Sequence, residues 1–335
     1  MKAIEVAVHG GPDVLAVVQR PRPVPGPSEV LVRNEYIGVN YVDLQHRAGS
    51  PYPVSLPLVP GTEAAGTVVQ VGAEVGDFQP GQPVVHVGHL AGVYAELTAV
   101  PAGYVVGVPD GIGSDTAAAV ALQGTTAHVL TRVATRVGAD DVVVVHAAAG
   151  GTGSAVTALA AAAGARVVGV VSTPAKRHFA LAAGASTVVT GSGEALATAL
   201  RKATGDRGAS HVFDAGGKAT FDVSLGALGD FGTLVLYGQT SGRGGMLDTA
   251  RLSGLSRPGD AASLTVTWVA AGHYLREAAD RARATRAVFD DVASGVLRPH
   301  VVARFPLERA ADAHRMLQDR ATAGKILLAA TGDPA

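Results

Sequence analysis

The sequence predicts an α/β protein in which a compact all-β unit precedes a doubly wound parallel sheet. Three observations predict it. Over the first third, short β-branched runs alternate with turn clusters rich in Pro and Gly. The texture changes at residues 113–116. From residue 140 onward, apolar runs alternate with Ala-rich stretches closed by Gly, as expected of strands buried on both faces and linked by helices.

In order along the chain, residues 1–10 (MKAIEVAVHG) open as a strand. Short strands follow at 30–33 (VLVR), 66–71 (GTVVQV) and 83–87 (PVVHV), separated by 23–28 (PVPGPS) and 79–82 (QPGQ). In the second part, 142–146 (VVVVH) is a buried strand, 152–163 a helix ended by Gly164, and 166–171 (RVVGVV) a second strand. A strand at 186–190, a helix at 194–203, a strand at 211–214, a helix at 220–228 and a strand at 233–237 continue the alternation. A sixth strand fits 264–268 (LTVTW). Leu275, Ala278, Ala282, Val288, Phe289 and Val292 then recur mainly at three- and four-residue spacing, one face of an amphipathic helix. A strand at 325–329 (KILLA) ends the pattern, and the tail after residue 268 is too short to be a domain of its own. The chain shows no internal repeat.

With 335 residues, the chain suggests two domains at ~100–200 residues each. Apolar residues make up 47% and charged residues 16%, enough to build a large core and too apolar for a disordered chain. A net charge of −1 carries no basic footprint for nucleic acid and no polybasic patch for a membrane. With no cysteine, disulfides, thiolate nucleophiles, iron–sulfur clusters and Cys-ligated zinc are excluded. The N-terminus lacks a secretory signal and no apolar stretch reaches the ~18–20 residues that span a bilayer, so a soluble, cytoplasmic protein is expected.

The strand at 142–146 runs into 147–153 (AAAGGTG) and then a helix, which is the context a dinucleotide-binding turn needs. Ala148 stands where the first Gly of G-x-G-x-x-G belongs, and Gly150 and Gly153 keep the other two places. Gly150 lets the backbone approach the phosphates and Gly153 allows close helix–strand packing. Ala149, Gly150, Gly151, Thr152 and Gly153 are therefore candidate diphosphate contacts. An NAD enzyme places an acid ~20 residues further on for the ribose hydroxyls. Here 171–176 reads VSTPAK, with no acid. Ser172, Thr173, Lys176 and Arg177 suit a 2′-phosphate instead, so the expected cofactor is NADP(H).

Several motifs, 9–15 (HGGPDVL), 37–43 (IGVNYVD), 60–66 (PGTEAAG), 92–96 (GVYAE), 122–126 (LQGTT), 146–153 (HAAAGGTG) and 320–324 (RATAG), occur in order over nearly the whole chain. Together they resemble the zinc-independent quinone oxidoreductases of the medium-chain dehydrogenase/reductase superfamily. The resemblance implies a GroES-like β-barrel catalytic domain at 1–122, a Rossmann NADP(H)-binding domain at 123–268 and a C-terminal return, 269–335, onto the first domain. It places the active site in the cleft between domains. It also shows what is missing. Zinc-dependent relatives place Cys where Asn40 stands, His where Thr62 stands and a second Cys near Gln123–Gly124. Glu63 alone does not hold a catalytic zinc, and the His86/His89 pair has no further partners, so no metal site is expected.

Without a Lewis acid, the chemistry implied is hydride transfer to an acceptor that is already electrophilic, a quinone or an α,β-unsaturated carbonyl. By the resemblance, Asn40 contacts the nicotinamide ribose, with Asp43 in the same motif. Gln123 and Thr126 lie on the nicotinamide side, Tyr237, Gly238 and Gln239 face the nicotinamide, and Arg320 returns towards the cofactor. Tyr41 and Tyr52 are phenols near the cleft, and Tyr52 is the candidate proton donor to an enolate, as a Tyr nearby is in related enoyl-thioester reductases. Asn40, Tyr41, Tyr52 and Gln123 are the expected hydrogen-bond donors to the developing anion. His146 reads as structural. A Tyr that often lines the adenosine pocket is replaced by Thr190–Gly191. Two alternatives stay open: an enoyl-thioester or biosynthetic tailoring reductase, and an NADPH-binding protein with little turnover. The apolar strand at 264–268 invites pairing with its own copy, so a homodimer is expected.

Overall fold

A computed structural model describes residues 1–88, 92–255, 261–319 and 322–330. Arg320, His89 and part of the loop at 242–258 lie outside the described residues. The chain forms two compact units, one of Met1–Thr125, Leu275–Ser294 and Pro299–Ala335, the other of Thr126–Tyr274 and Gly295–Arg298.

In the first unit, β1 (Lys2–Val6) and β2 (Leu15–Gln19) form an antiparallel ribbon. The main sheet is organised around β3 (Glu29–Val39), which pairs antiparallel with β4 (Glu63–Val71) and β6 (Leu97–Pro101). Beyond β4 come β5 (Pro83–Val87) and β7 (Val105–Gly107). β3 runs well past the expected 30–33, because Asn34 is satisfied in mid-strand. Its amide donates to the Val93 and Ala95 carbonyls and Thr98 Oγ1, and its oxygen meets His86 Nε2 at 3.0 Å. His86 is thus a buried structural residue. Helix α1 (Tyr41–Ala48) follows β3 directly and ends at Gly49, whose φ of 72° supplies the left-handed cap. Helix α2 (Ser114–His128) leaves the unit, and a π-helical stretch, Val129–Ala134, prolongs it, a feature with no sequence signal.

The second unit carries six parallel strands in the order β10-β9-β8-β11-β12-β13. They are β8 (Val142–Val145), β9 (Arg166–Val171), β10 (Thr187–Thr190), β11 (Ala209–Asp214), β12 (Leu228–Leu236) and β13 (Thr265–Trp268). Helices α3 (Gly151–Ala162), α4 (Arg177–Ala182), α5 (Gly193–Thr204) and α6 (Phe221–Leu225) connect them, and α7 (Ala271–Tyr274) follows β13. The helix expected over 220–228 is shorter. Gly226 ends it, and Leu228 already pairs with Ala209 as the start of a long β12.

The chain returns to the first unit as α8 (Ala278–Ala293), β14 (Val301–Pro306), α9 (Ala310–Gln318) and β15 (Lys325–Ala329). β15 pairs with β3, so the return completes the first sheet. Val288 and Phe289 of the expected α8 face are buried, but Ala278 is exposed and Arg281 joins the buried face. The Arg281 guanidinium donates to the carbonyls of Gly103, Leu275 and Arg276 and lies 4.0 Å above the Tyr104 ring, so apolar periodicity misses it. No helix among the described residues is long and apolar enough to cross a membrane.

Candidate functional site

The glycine turn of the second unit follows β8. Ala147 takes the left-handed conformation (φ 52°), and its carbonyl accepts from the Gly150 N–H at 2.8 Å. The tight turn expected of a glycine at 148 is thus made one residue earlier, and Ala148 is buried. No side chain caps the N-terminus of α3, so the first-turn amides of Gly151, Thr152 and Gly153 are left for an anion. A Cβ on Gly153 would stand 2.2 Å from the Ala147 carbonyl oxygen. Helix and strand approach that closely only because residue 153 is glycine, and the loop fits a dinucleotide diphosphate.

At the end of β9, Ser172 and Thr173 are exposed, and Lys176 is partly buried with its pKa lowered by desolvation. Arg177 is exposed, and its Nη1 donates to the Val188 carbonyl on β10 at 2.5 Å, which spends one nitrogen of the guanidinium on the fold.

At the end of β11, the Asp214 carboxylate gathers donors from Gly216 N, Gly217 N, Thr220 Oγ1 and Ser224 Oγ. Burial lowers the His146 pKa, and the neutral ring meets Ser224 Oγ from Nε2 at 2.9 Å. These residues hold one turn and, buried together, do not form a hydrolytic triad. The turn braces the loop after β12. Thr240 N and Ser241 N donate to the Ala215 and Gly216 carbonyls, and Gly217 and Gly238 sit where a Cβ would meet backbone. Tyr237, Gly238 and Gln239 are half-buried on this braced segment. Burial and the nearby Asp214 raise the Tyr237 pKa.

The first unit holds a polar cluster of a different kind. Lys325, 2% exposed, pairs with Glu63 Oε1 at 2.6 Å and donates to Asn40 Oδ1 at 2.7 Å. Asn40 Nδ2 donates to the same Glu63 oxygen at 2.7 Å, and Leu122 N on α2 donates to Glu63 Oε2 at 2.6 Å. Asp43 is fully buried. Its Oδ2 accepts from the Asn40 backbone N–H and the Tyr94 hydroxyl, whereas Oδ1 has no partner. Burial pushes the Asp43 carboxyl up to about 7. Behind Tyr94, burial and the Arg47 cation hold the His314 pKa down to about 3. The donors therefore run in one direction: Arg47 Nη1 to His314 Nδ1, His314 Nε2 to the Tyr94 oxygen, and Tyr94 to Asp43.

The structure brings Asn40 and Asp43 together and sets Gln123 one residue past the Glu63-bonded Leu122. Tyr41 and Gln123 are half-buried and Tyr52 is 37% exposed. Thr126, half-buried, begins the second unit. Asp43 is fully buried, with its Oδ2 held by the Asn40 backbone N–H. Sequence reasoning missed Lys325, Tyr94, His314 and Arg47. The one available signal was a lone Lys heading the otherwise apolar strand KILLA.

A family model for the alcohol dehydrogenase GroES-like domain matches residues 26–110, and one for zinc-binding dehydrogenases matches 183–328. A 2-haloacrylate reductase from a Burkholderia species is 36% identical over 324 residues, spanning 95% of this chain and 96% of the relative. A mycobacterial protein solved with NADPH superposes with a TM-score of 0.92 at 38% identity, covering 98% of this chain and 100% of that one. The quinone oxidoreductase of Escherichia coli, also solved with NADPH, gives 0.91 at 34% identity and covers 98% and 100%. Sheet order, glycine turn and these likenesses define a medium-chain dehydrogenase/reductase with a GroES-like and a Rossmann-type unit. Within that superfamily, the chain belongs to the quinone oxidoreductase family.

Proposed function

We propose that the protein is an NADPH-dependent reductase that adds hydride to a conjugated, electrophilic small molecule, a quinone or an α,β-unsaturated carbonyl compound, without a metal. The uncapped α3 N-terminus with Gly153 packed on the Ala147 carbonyl carries the reading, and solved relatives hold NADPH on this fold. The 2-haloacrylate reductase likeness extends the acceptor class to conjugated acids.

The first-turn amides of α3 bind the diphosphate, and Ser172, Thr173 and Lys176 take the 2′-phosphate. Tyr237, Gly238 and Gln239 line the nicotinamide end on the segment braced by Asp214. When bound, the reduced nicotinamide supplies the hydride. Tyr41, Tyr52 and Gln123 are the donors that serve a delocalised anion, and Tyr52 holds a phenolic proton for an enolate.

Metal independence is supported by the donor set. The positions that hold zinc ligands in zinc-dependent relatives carry Asn40, Thr62 and Gln123 or Gly124, and a buried ammonium stands 2.7 Å from Asn40. A divalent cation would meet that charge with one carboxylate to hold it. The zinc-binding dehydrogenase match, at 183–328, lies outside all these positions.

Stopped-flow oxidation of NADPH against quinones, enones and 2-haloacrylates tests the reading, with saturated alcohols and NADP⁺ as the reverse control. Turnover with at least one conjugated acceptor, unaffected by chelator, is expected. Rapid oxidation of a saturated alcohol, or activity that follows bound zinc, refutes it.

A further inference from the structure

In an α-helix an interior N–H is taken by the carbonyl four residues back. Leu122 lies in the interior of α2, yet its N–H meets Glu63 Oε2 at 2.6 Å, and a carboxylate that close competes with the Ala118 carbonyl for the hydrogen. Within the next turn the Thr125 hydroxyl donates back to the Ala121 carbonyl at 2.6 Å and reaches the Leu122 carbonyl at 3.2 Å. Gly124 lies against α8, where a Cβ would stand 2.7 Å from Val288 Cγ1. The backbone is therefore held on both sides of residue 123, at 122 by a carboxylate and at 124 by close packing. Gln123 itself is half-buried, and its amide has no hydrogen-bond partner among the described residues.

Glu63 reaches α2 because it is held in turn. β3 pairs with β4 at Ile37–Ala64 and with β15 at Val39–Ile326, so Glu63 falls opposite Gly38, and Lys325 opposite Asn40. A Cβ on residue 38 would overlap Glu63 Oε1, so the glycine leaves the carboxylate room to cross β3. Oε1 then takes the Lys325 ammonium at 2.6 Å and Asn40 Nδ2 at 2.7 Å, which leaves Oε2 for Leu122 N. The Lys325 charge balances a carboxylate that would otherwise be buried unpaired.

We propose that Glu63 and Lys325 are positioning residues for Gln123, and that the Gln123 amide, fixed by the α2 backbone, donates to the oxygen of the electrophilic acceptor as negative charge gathers there. This rests on the reductase reading for what binds. The pair touches no substrate. It sets the helical turn from which Gln123 projects, and what that turn needs from residue 63 is an acceptor for Leu122 N.

The test compares two neutral pairs that differ only at residue 63. Glu63→Leu/Lys325→Met leaves no charge buried but offers Leu122 N no acceptor, whereas Glu63→Gln/Lys325→Met restores an acceptor oxygen. Each is measured with and without Gln123→Ala, reading NADPH Kd by fluorescence titration and kcat for an acceptor that the wild type reduces. Gln123→Ala should lower kcat about 10²-fold while NADPH Kd stays within about twofold. The leucine pair should fall by a similar factor and lose nothing more when Gln123→Ala is added, because it acts through that amide. The glutamine pair should recover most of the loss, to within about fivefold of wild type. Equal kcat in the two pairs, additive losses with Gln123→Ala, or a Gln123→Ala effect on NADPH Kd in place of kcat overturns the proposal. Two NMR signals need neither turnover nor a folded leucine pair. The Leu122 amide proton should lie downfield in wild type, as a short bond to a carboxylate requires, and move upfield in the glutamine pair. The Gln123 side-chain NH₂ should shift when an enone joins the NADP⁺ complex, a combination that cannot transfer hydride. A Leu122 proton alike in both proteins, or an unmoved Gln123 signal, overturns it. Should the wild type reduce no acceptor, the reductase reading falls, while the Leu122 signal still decides whether Glu63 and Lys325 hold the α2 turn.

Discussion

Replacing Gly153 by Ala tests how the glycine turn holds the nucleotide. The new methyl would lie 2.2 Å from the Ala147 oxygen, 2.7 Å from its carbonyl carbon and 3.1 Å from the His146 oxygen. Relief requires α3 to withdraw from the end of β8 by about 1 Å, since comfortable heavy-atom contact begins near ~3.5 Å. All three neighbours are backbone, so no side-chain rotation absorbs the clash. Overpacking of this kind costs about 1–3 kcal/mol of stability. The same withdrawal moves the amides that face the diphosphate, so NADPH affinity should fall about tenfold or more, at ~1.4 kcal/mol per decade. Gly150→Ala is the control. Its methyl meets the Ala147 oxygen at 3.2 Å and the Ala147 Cβ at 4.0 Å, and the residue has an ordinary φ of −83°. Stability should stay within about 0.5 kcal/mol of wild type, with the affinity loss alone. Urea unfolding and fluorescence titration of NADPH measure both quantities. A Gly153→Ala protein with wild-type midpoint and Kd would refute the close-packing argument.

Asp43 has a folded pKa of about 7 against an ordinary value of 3.8, because burial disfavours its charge. Between those values the folded state holds a proton that the unfolded state has lost, so stability falls as pH rises across that window, by at most ~1.4 kcal/mol per pH unit. Asp43→Asn should remove that contribution, seen as a flatter pH dependence in urea unfolding relative to wild type; parallel curves would exclude it. Lys176→Glu should abolish most of a preference of about tenfold or more for NADPH over NADH, while Arg177→Ala, at a side chain already bonded to the Val188 carbonyl, should change it little. Equal effects of the two changes would assign the phosphate contact wrongly. Tyr52→Phe should slow an enone ~10²-fold and a quinone much less, because a reduced quinone takes protons from water. Equal small losses would leave Tyr52 as packing. β13 ends the six-stranded sheet with Trp268 45% exposed, so light scattering should give a homodimer, and Trp268→Asp a monomer; a monomeric wild type would rule out pairing at this edge.

The parallel sheet was legible because its strands are buried on both faces and read as unbroken apolar runs such as VVVV at β8 and RVVGVV at β9. Gly153 was legible for the same local reason, since turn, close approach and helix start fall within seven residues of sequence, 147–153. Where polar side chains do the packing, the pattern fails. Asn34 inside β3 is satisfied by carbonyls that lie far away in sequence, and Arg281 on the buried face of α8 by the distant Gly103 carbonyl together with the nearby Leu275 and Arg276 carbonyls.

The Asn40 cluster is the extreme case. Residues 38 and 40, 63, 122 and 325 come from four separate stretches of sequence, and the antiparallel registers of β3 with β4 and β15 bring three strands to one corner. Asn40 by itself reads as a donor, because an amide offers both donors and acceptors. Set between an ammonium and a carboxylate, its amide is turned with Oδ1 towards Lys325 and Nδ2 towards Glu63. That orientation follows from charge placement: turning the amide over would set its NH₂ against the ammonium and its oxygen against the carboxylate.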